Sequence, residues 1–148
     1  MPDYLNTILT PEELSGVSTL ALAHIGDCVY ELLVRTFLLR AGRLTNSGIH
    51  AESMRYVCAP AQARAMERLL PLLTEEETAV YRRGRNTHVN SVPKHARVGD
   101  YHAATGLEAL FGWLWLKGER ARVNELFGAV TSGDTGGIGP APALSPEP

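Results

Sequence analysis

The sequence predicts an all-α fold, a small helical bundle, and three observations predict it. Helix-start signatures recur: Thr10-Pro11-Glu12-Glu13, Ser18-Thr19 and Thr74-Glu75-Glu76-Glu77 each set a capping side chain before acidic or helix-forming residues. The segments between them carry apolar residues at helical spacing or in long runs, and none alternates apolar and polar residues as a half-buried strand does. Apolar residues make up 45% of 148, enough for one ordinary core and too many for a disordered chain.

The elements follow in order. Thr10 caps a short first helix, with Pro11 at its first position and two acids in its first turn. A long helix begins at Ser18 or Thr19, runs to about Arg40 and is stopped by Gly42. A third covers about Asn46 to Val57, and Pro60 opens a fourth through Gln62, Ala65, Leu69 and Leu70. The Thr74 capping box opens a fifth that ends near Gly84. Turn formers and Pro93 make Asn86–Gly99 a loop. Asp100 caps a strongly apolar helix from Tyr101 to Lys117, ended by Gly118, and a last helix runs from Glu119 to about Phe127. One domain over residues 1–130 is expected. Residues 131–148, with four Gly and four Pro, are expected to be a disordered tail.

Several classes are disfavoured. No apolar run approaches the roughly 18 residues that span a bilayer, and the start lacks a basic region followed by an apolar one. Cys28 and Cys58 lie within apolar or helical patterns and make no disulfide framework. A soluble cytoplasmic domain is expected. The net charge of −2, from 14 basic and 16 acidic residues, conceals an asymmetry. Met1 to Val34 holds five acids and no Lys or Arg, whereas Arg82–Arg97 holds five basic residues, two histidines and no acid. Whether that basic stretch is one nucleic-acid-binding face or a solvated loop is left open by its composition.

Carboxylates inside apolar helices are the sharper signal. The long helix is mostly Leu, Ala, Ile, Val, Phe, Tyr and Cys between Leu20 and Leu39, so most of its circumference is expected to be buried. His24, Asp27, Glu31 and Arg35 break the run at spacings of 3, 4 and 4, which puts them on one stripe. Gly26 costs about 1 kcal/mol of helix propensity against Ala, and its presence suggests a close approach by another backbone or a ligand. In the second apolar helix Glu108 is the only acid from Tyr101 to Lys117, on a face with His102 and Thr105. Gly106, Ala109 and Gly112 there permit close helix contact. If these helices form the central pair, Asp27 and Glu108 face each other, and their repulsion raises one pKa unless a cation lies between them. Oxygen ligands alone favour a hard ion such as Mg2+. The same residues also admit a plainer reading: a Glu31–Arg35 ion pair, a solvent-facing stripe, and Glu108 neutralised by Arg55, Arg64 or Arg68.

LALAHIGDCVYELLV resembles the signature helix of ribonuclease III catalytic domains, an apolar run into Gly-Asp and a second apolar stretch. GLEALFGWLWL resembles that family's other acidic helix, in which Glu-Ala precedes an apolar run. With IHAESMRYVCAPAQA, LTEEETAVYRRGRN and the later Val-Pro-Lys, about Ser18–Phe127 is similar to the mini-ribonuclease III subfamily. The resemblance implies a Mg2+-dependent endoribonuclease that cuts double-stranded RNA, leaving a 5′-phosphate and a 3′-hydroxyl, as a homodimer. It also implies a structured ribosomal RNA precursor as substrate.

By the same resemblance Asp27 and Glu108 are the catalytic, metal-holding residues, and Glu31 is a candidate to support them from behind. Larger family members carry two further acids, at positions that are Ala23 and Thr105 here. The subfamily shares this thinner set, which leaves the metal count open. Only the Gly/Pro segment follows the last helix, so no separate RNA-binding domain is expected there. That assigns phosphate contact to Arg82, Arg83, Arg85, Asn86 and Lys94. A non-catalytic module that binds duplex RNA or ribosomes, and a helical dimerisation domain, are the alternatives to a nuclease.

Overall fold

The computed structural model describes residues 1–43, 48–87, 94 and 97–133. Its helices are α1 (Pro11–Ser15), α2 (Thr19–Arg40), α3 (Ile49–Val57), α4 (Ala59–Leu69), α5 (Glu75–Arg85), α6 (Val98–Lys117) and α7 (Arg120–Thr131). The fold is all-α, with no strand among the described residues.

The caps predicted at Thr10, Ser18 and Thr74 form. Thr10 and Thr74 each accept from the amide three residues on, and Glu13 and Glu77 close both capping boxes. The Ser18 hydroxyl accepts from the Ala21 amide, and Gly42 leaves α2 with φ of 67°. A 3-10 turn over Leu70–Leu72 follows α4, because Pro71 has no amide to continue an α-helix.

Three boundaries depart from expectation. Gly48, at φ 90°, sets the start of α3 at Ile49, and the four residues before it lie outside the described set. α6 starts at Val98 without a side-chain cap, so Asp100 is a first-turn residue rather than the cap. α7 continues past Phe127 to Thr131 because Arg68 donates to the carbonyls of Val130 (2.8 Å) and Ser132 (3.4 Å), satisfying groups a helix end leaves bare. Residues 134–148, most of the segment expected as a tail, lie outside the described residues, as does 88–93 within the expected loop.

α6 is the central helix, with α2, α4 and α5 packed around it. Its residues from Ala104 to Leu114 are buried except Glu108. Leu107, Leu110 and Phe111 of α6 meet Val34 and Leu38 of α2 and Leu126 of α7 in a sealed core. Burying side chains of this size contributes about 1.5–3 kcal/mol each. Tyr30 lies edge-on to Phe111 and Phe127, with ring centroids 5.3 and 5.7 Å apart.

α2 corrects one expectation. Only Leu22, Ala23, Gly26, Val29, Tyr30, Val34 and Leu38 are buried. Ile25, Leu32 and Leu39, seven residues apart, are 37%, 58% and 60% exposed. The chain's other helices cover one side of α2 and leave an apolar seam along the other.

Candidate active site

Two glycines bring the central helices together. A Cβ on Gly26 of α2 would stand 1.6 Å from the Glu108 carbonyl oxygen of α6. The Gly112 backbone packs equally close to Leu22. The sequence expectation that Gly26 admits a neighbouring backbone is met by α6, at the residue adjoining Asp27. Backbone contact at this point puts Asp27 beside Glu108.

Glu108 registers the juxtaposition. Burial pushes the Glu108 carboxyl up to about 8, and the Asp27 charge adds to the rise, while a hydrogen bond from the Gln62 amide of α4 opposes it. Asp27, at the α2 surface, is raised by burial and by the charge of Glu31, and lowered by His24. Among the described residues no Lys or Arg forms an ion pair with either. None of the three arginines of the plainer reading pairs with Glu108. Arg55 leans on Glu52 at 3.4 Å, Arg68 holds the end of α7, and Arg64 has no such partner.

Glu31 pairs with Arg35 at 2.7 Å, so the ordinary i,i+4 bridge is present. Its charge still reaches Asp27. Ala23 and Thr105 are buried, and the Thr105 hydroxyl donates to the Tyr101 carbonyl at 3.1 Å. Among the described residues no group of three or more His, Cys, Asp or Glu is placed to hold a metal. The donor set is therefore two carboxyl groups that pair with no Lys or Arg among the described residues. Hard oxygen donors of this kind fit Mg2+, which takes one or two carboxylates and fills its shell with water and phosphate.

Gln62 was not singled out by the sequence. It is 2% exposed and occupies a core-facing position with Ala65, Met66 and Leu69. A polar amide on an otherwise apolar stripe was the available signal.

The basic residues assemble at the end of α5. Gly84 abuts Gly106 and Ala109, which flank Glu108 on α6, so the adjoining arginines are turned outward. Arg82 and Arg85, three residues apart, share a side, and Arg85 lies over the Tyr81 ring at 5.6 Å. Arg83 diverges into a groove with Trp113 and Lys117. Asn86 occupies the C-cap and Lys94 is exposed.

A family model described as the Ribonuclease III domain matches residues 20–119. Mini-ribonuclease 3 of Thermoanaerobacter sp. (strain X514) is 43% identical over 119 residues, covering 80% of this chain and 84% of that protein. Mini-ribonuclease 3 of Symbiobacterium thermophilum is 44% identical over 111 residues, covering 75% and 85%. A crystal structure of a Fusobacterium nucleatum protein superposes with a TM-score of 0.73 at 26% identity, covering 80% of this chain and 95% of that one.

Proposed function

The chain belongs to the ribonuclease III family and is an endoribonuclease acting on double-stranded RNA, and from that premise we propose that Asp27 and Glu108 form its Mg2+ site. The observation that carries this reading is the glycine-to-backbone contact of α2 with α6, which sets two carboxylates together without a cation. Bound there, Mg2+ would lower the pKa of a water and offset charge on the scissile phosphate.

The chain's own groups do the remaining work. Gln62 fixes the Glu108 carboxylate by donating to it, and the close helix pair keeps that carboxylate within reach of the Asp27 charge. Glu31 adds negative charge beside Asp27. Arg82, Arg83, Arg85, Asn86 and Lys94 meet the phosphates of the duplex, since A-form RNA is recognised chiefly through shape, phosphates and 2′-hydroxyls and guanidinium forks suit phosphate. Hydrolysis leaves a 5′-phosphate and a 3′-hydroxyl.

Cutting both strands takes two sites, and the exposed seam of Ile25, Leu32 and Leu39 supports a two-fold homodimer that supplies them. No helix among the described residues is long and apolar enough to cross a membrane. A structured ribosomal RNA precursor in the cytoplasm is the proposed substrate. The test is a labelled RNA duplex incubated with and without Mg2+. Asp27→Asn and Glu108→Gln each abolish cleavage while the fold remains, and retained cutting by both variants would refute the ligand assignment.

A further inference from the structure

Away from the carboxylate pair, α3, α4 and α7 enclose a cavity of about 560 Å³, within the usual size of small-molecule sites. Arg55, Arg64, Arg68, Cys58 and Tyr30 line it, and among the described residues the only acid on its wall is Glu67. Cys58 takes the N-cap position of α4 without capping it, and Pro60 has no N–H, so the first-turn amide on the cavity wall is that of Ala61, unmet by a side chain.

A helix start alone is commonplace. Tyr30 supplies the independent observation. It is 1% exposed and its ring is clamped by Phe111 and Phe127, yet its hydroxyl makes no hydrogen bond among the described residues. Buried tyrosine hydroxyls ordinarily find a partner. The hydroxyl is not among the fully sealed unpaired atoms, so the residue's remaining exposure includes it. Burial also holds the phenol well above its ordinary pKa, which keeps it a donor. Arg64 likewise has no ion-pair or hydrogen-bond partner among the described residues. An idle guanidinium, an idle hydroxyl and the uncapped Ala61 amide thus share one cavity, and each donates.

We propose that this cavity binds a phosphate monoester, whose phosphate is received by Arg64, the Tyr30 hydroxyl and the Ala61 amide in the first turn of α4. Phosphate suits all three donor types: guanidinium forks grip it in a bidentate way, and helix starts favour anions. The volume left over accommodates a nucleoside. The same chemistry arises from a free nucleoside monophosphate or from the 5′-phosphate of an RNA end.

The experiment titrates the full chain with adenosine 5′-monophosphate, inorganic phosphate and adenosine at fixed ionic strength, by calorimetry. The two phosphates bind and adenosine does not. Arg64→Gln and Tyr30→Phe each weaken binding about tenfold, as removing one donor to a charged group does. Arg64 is exposed, so its variant reads the site even if Tyr30→Phe loosens the core. Neutralising Arg82, Arg83 and Arg85 leaves the titration unchanged. Paired RNA hexamers with a 5′-phosphate or a 5′-hydroxyl then separate the sources. A preference for the phosphorylated end that Arg64→Gln removes assigns an RNA end, and no preference beside intact nucleotide binding assigns a free nucleotide. Absence of binding, equal binding of adenosine, or insensitivity to both Arg64→Gln and Tyr30→Phe overturns the proposal.

Discussion

Gly112 rests on the backbone of Leu22 so closely that a Cβ there would lie 1.9 Å from the Leu22 carbonyl oxygen. With Gly26 on the facing helix, it makes the α2–α6 crossing a contact between backbones rather than side chains. Neither backbone can give way without separating the two halves of the core. Gly112→Ala and Gly26→Ala therefore each cost about 3 kcal/mol or more, although alanine is the better helix former. Urea denaturation measures this directly, and a variant as stable as the parent would mean the crossing is looser than described.

Glu108 makes stability depend on pH in a particular direction. Its folded pKa, about 8, lies above the ordinary 4.5, so the folded chain holds a proton that the unfolded chain releases. The Glu108 contribution to stability without metal is then fully present below about 4.5 and is lost as pH rises toward about 8. Glu108→Gln removes that decline. Because metal and proton compete for the same oxygens, Mg2+ binding strengthens over the same interval. Unfolding midpoints across this range, with and without Mg2+, check both statements, and a parent profile identical to that of Glu108→Gln would contradict them.

Glu77 behaves oppositely. It is 4% exposed and receives both Arg122 Nε (2.9 Å) and Nη2 (2.8 Å) while closing the α5 capping box. Arg122 holds its carboxyl below the ordinary range. The contribution is present above pH 4.5 and fades as pH falls below it. Arg122→Ala strands a buried charge and costs about 3–5 kcal/mol near neutral pH. The loss shrinks in acid, as thermal melts at two pH values will show.

Much of this was legible in the sequence, because local chemistry specifies caps and the lone acids of two apolar helices stand out. Asp27, Glu108 and the Gly26 approach were readable for that reason. Other features depend on partners remote in the chain. α7 reaches Thr131 through Arg68, 62 residues before the carbonyl it binds. Gln62 becomes part of the site only when α4 packs on α6. α6 starts without a side-chain cap, so no residue announced Val98. The exposed side of α2 was hidden because composition reports how apolar a helix is, not how much of it neighbours cover.

Fanning of the α5 arginines separates their roles in RNA binding. Replacing Arg82 and Arg85 together lowers affinity and reduces the slope of log affinity against log salt by about one unit or more. Arg83 alone, turned toward Trp113 and Lys117, changes the slope less. Filter binding to a duplex at several salt concentrations gives both slopes, and an unaltered slope in the double variant would move the phosphate contacts elsewhere.

Leu32 is the middle residue of the exposed seam, with Ile25 and Leu39 one heptad away on either side. Paired across a two-fold axis, that seam meets its own copy, so one substitution alters the interface twice. Leu32→Glu sets two carboxylates opposite each other in an apolar contact and removes two apolar side chains from it. Since Leu32 is 58% exposed and outside the buried core, the subunit keeps its fold and the change appears in assembly. Sedimentation velocity gives a dimer for the parent and a monomer for the variant, with far-ultraviolet circular dichroism unchanged. The monomer still carries Asp27 and Glu108 but cuts a duplex poorly, because its second strand is left without a site. A variant that remains dimeric would place the subunit contact on another face of the helix bundle.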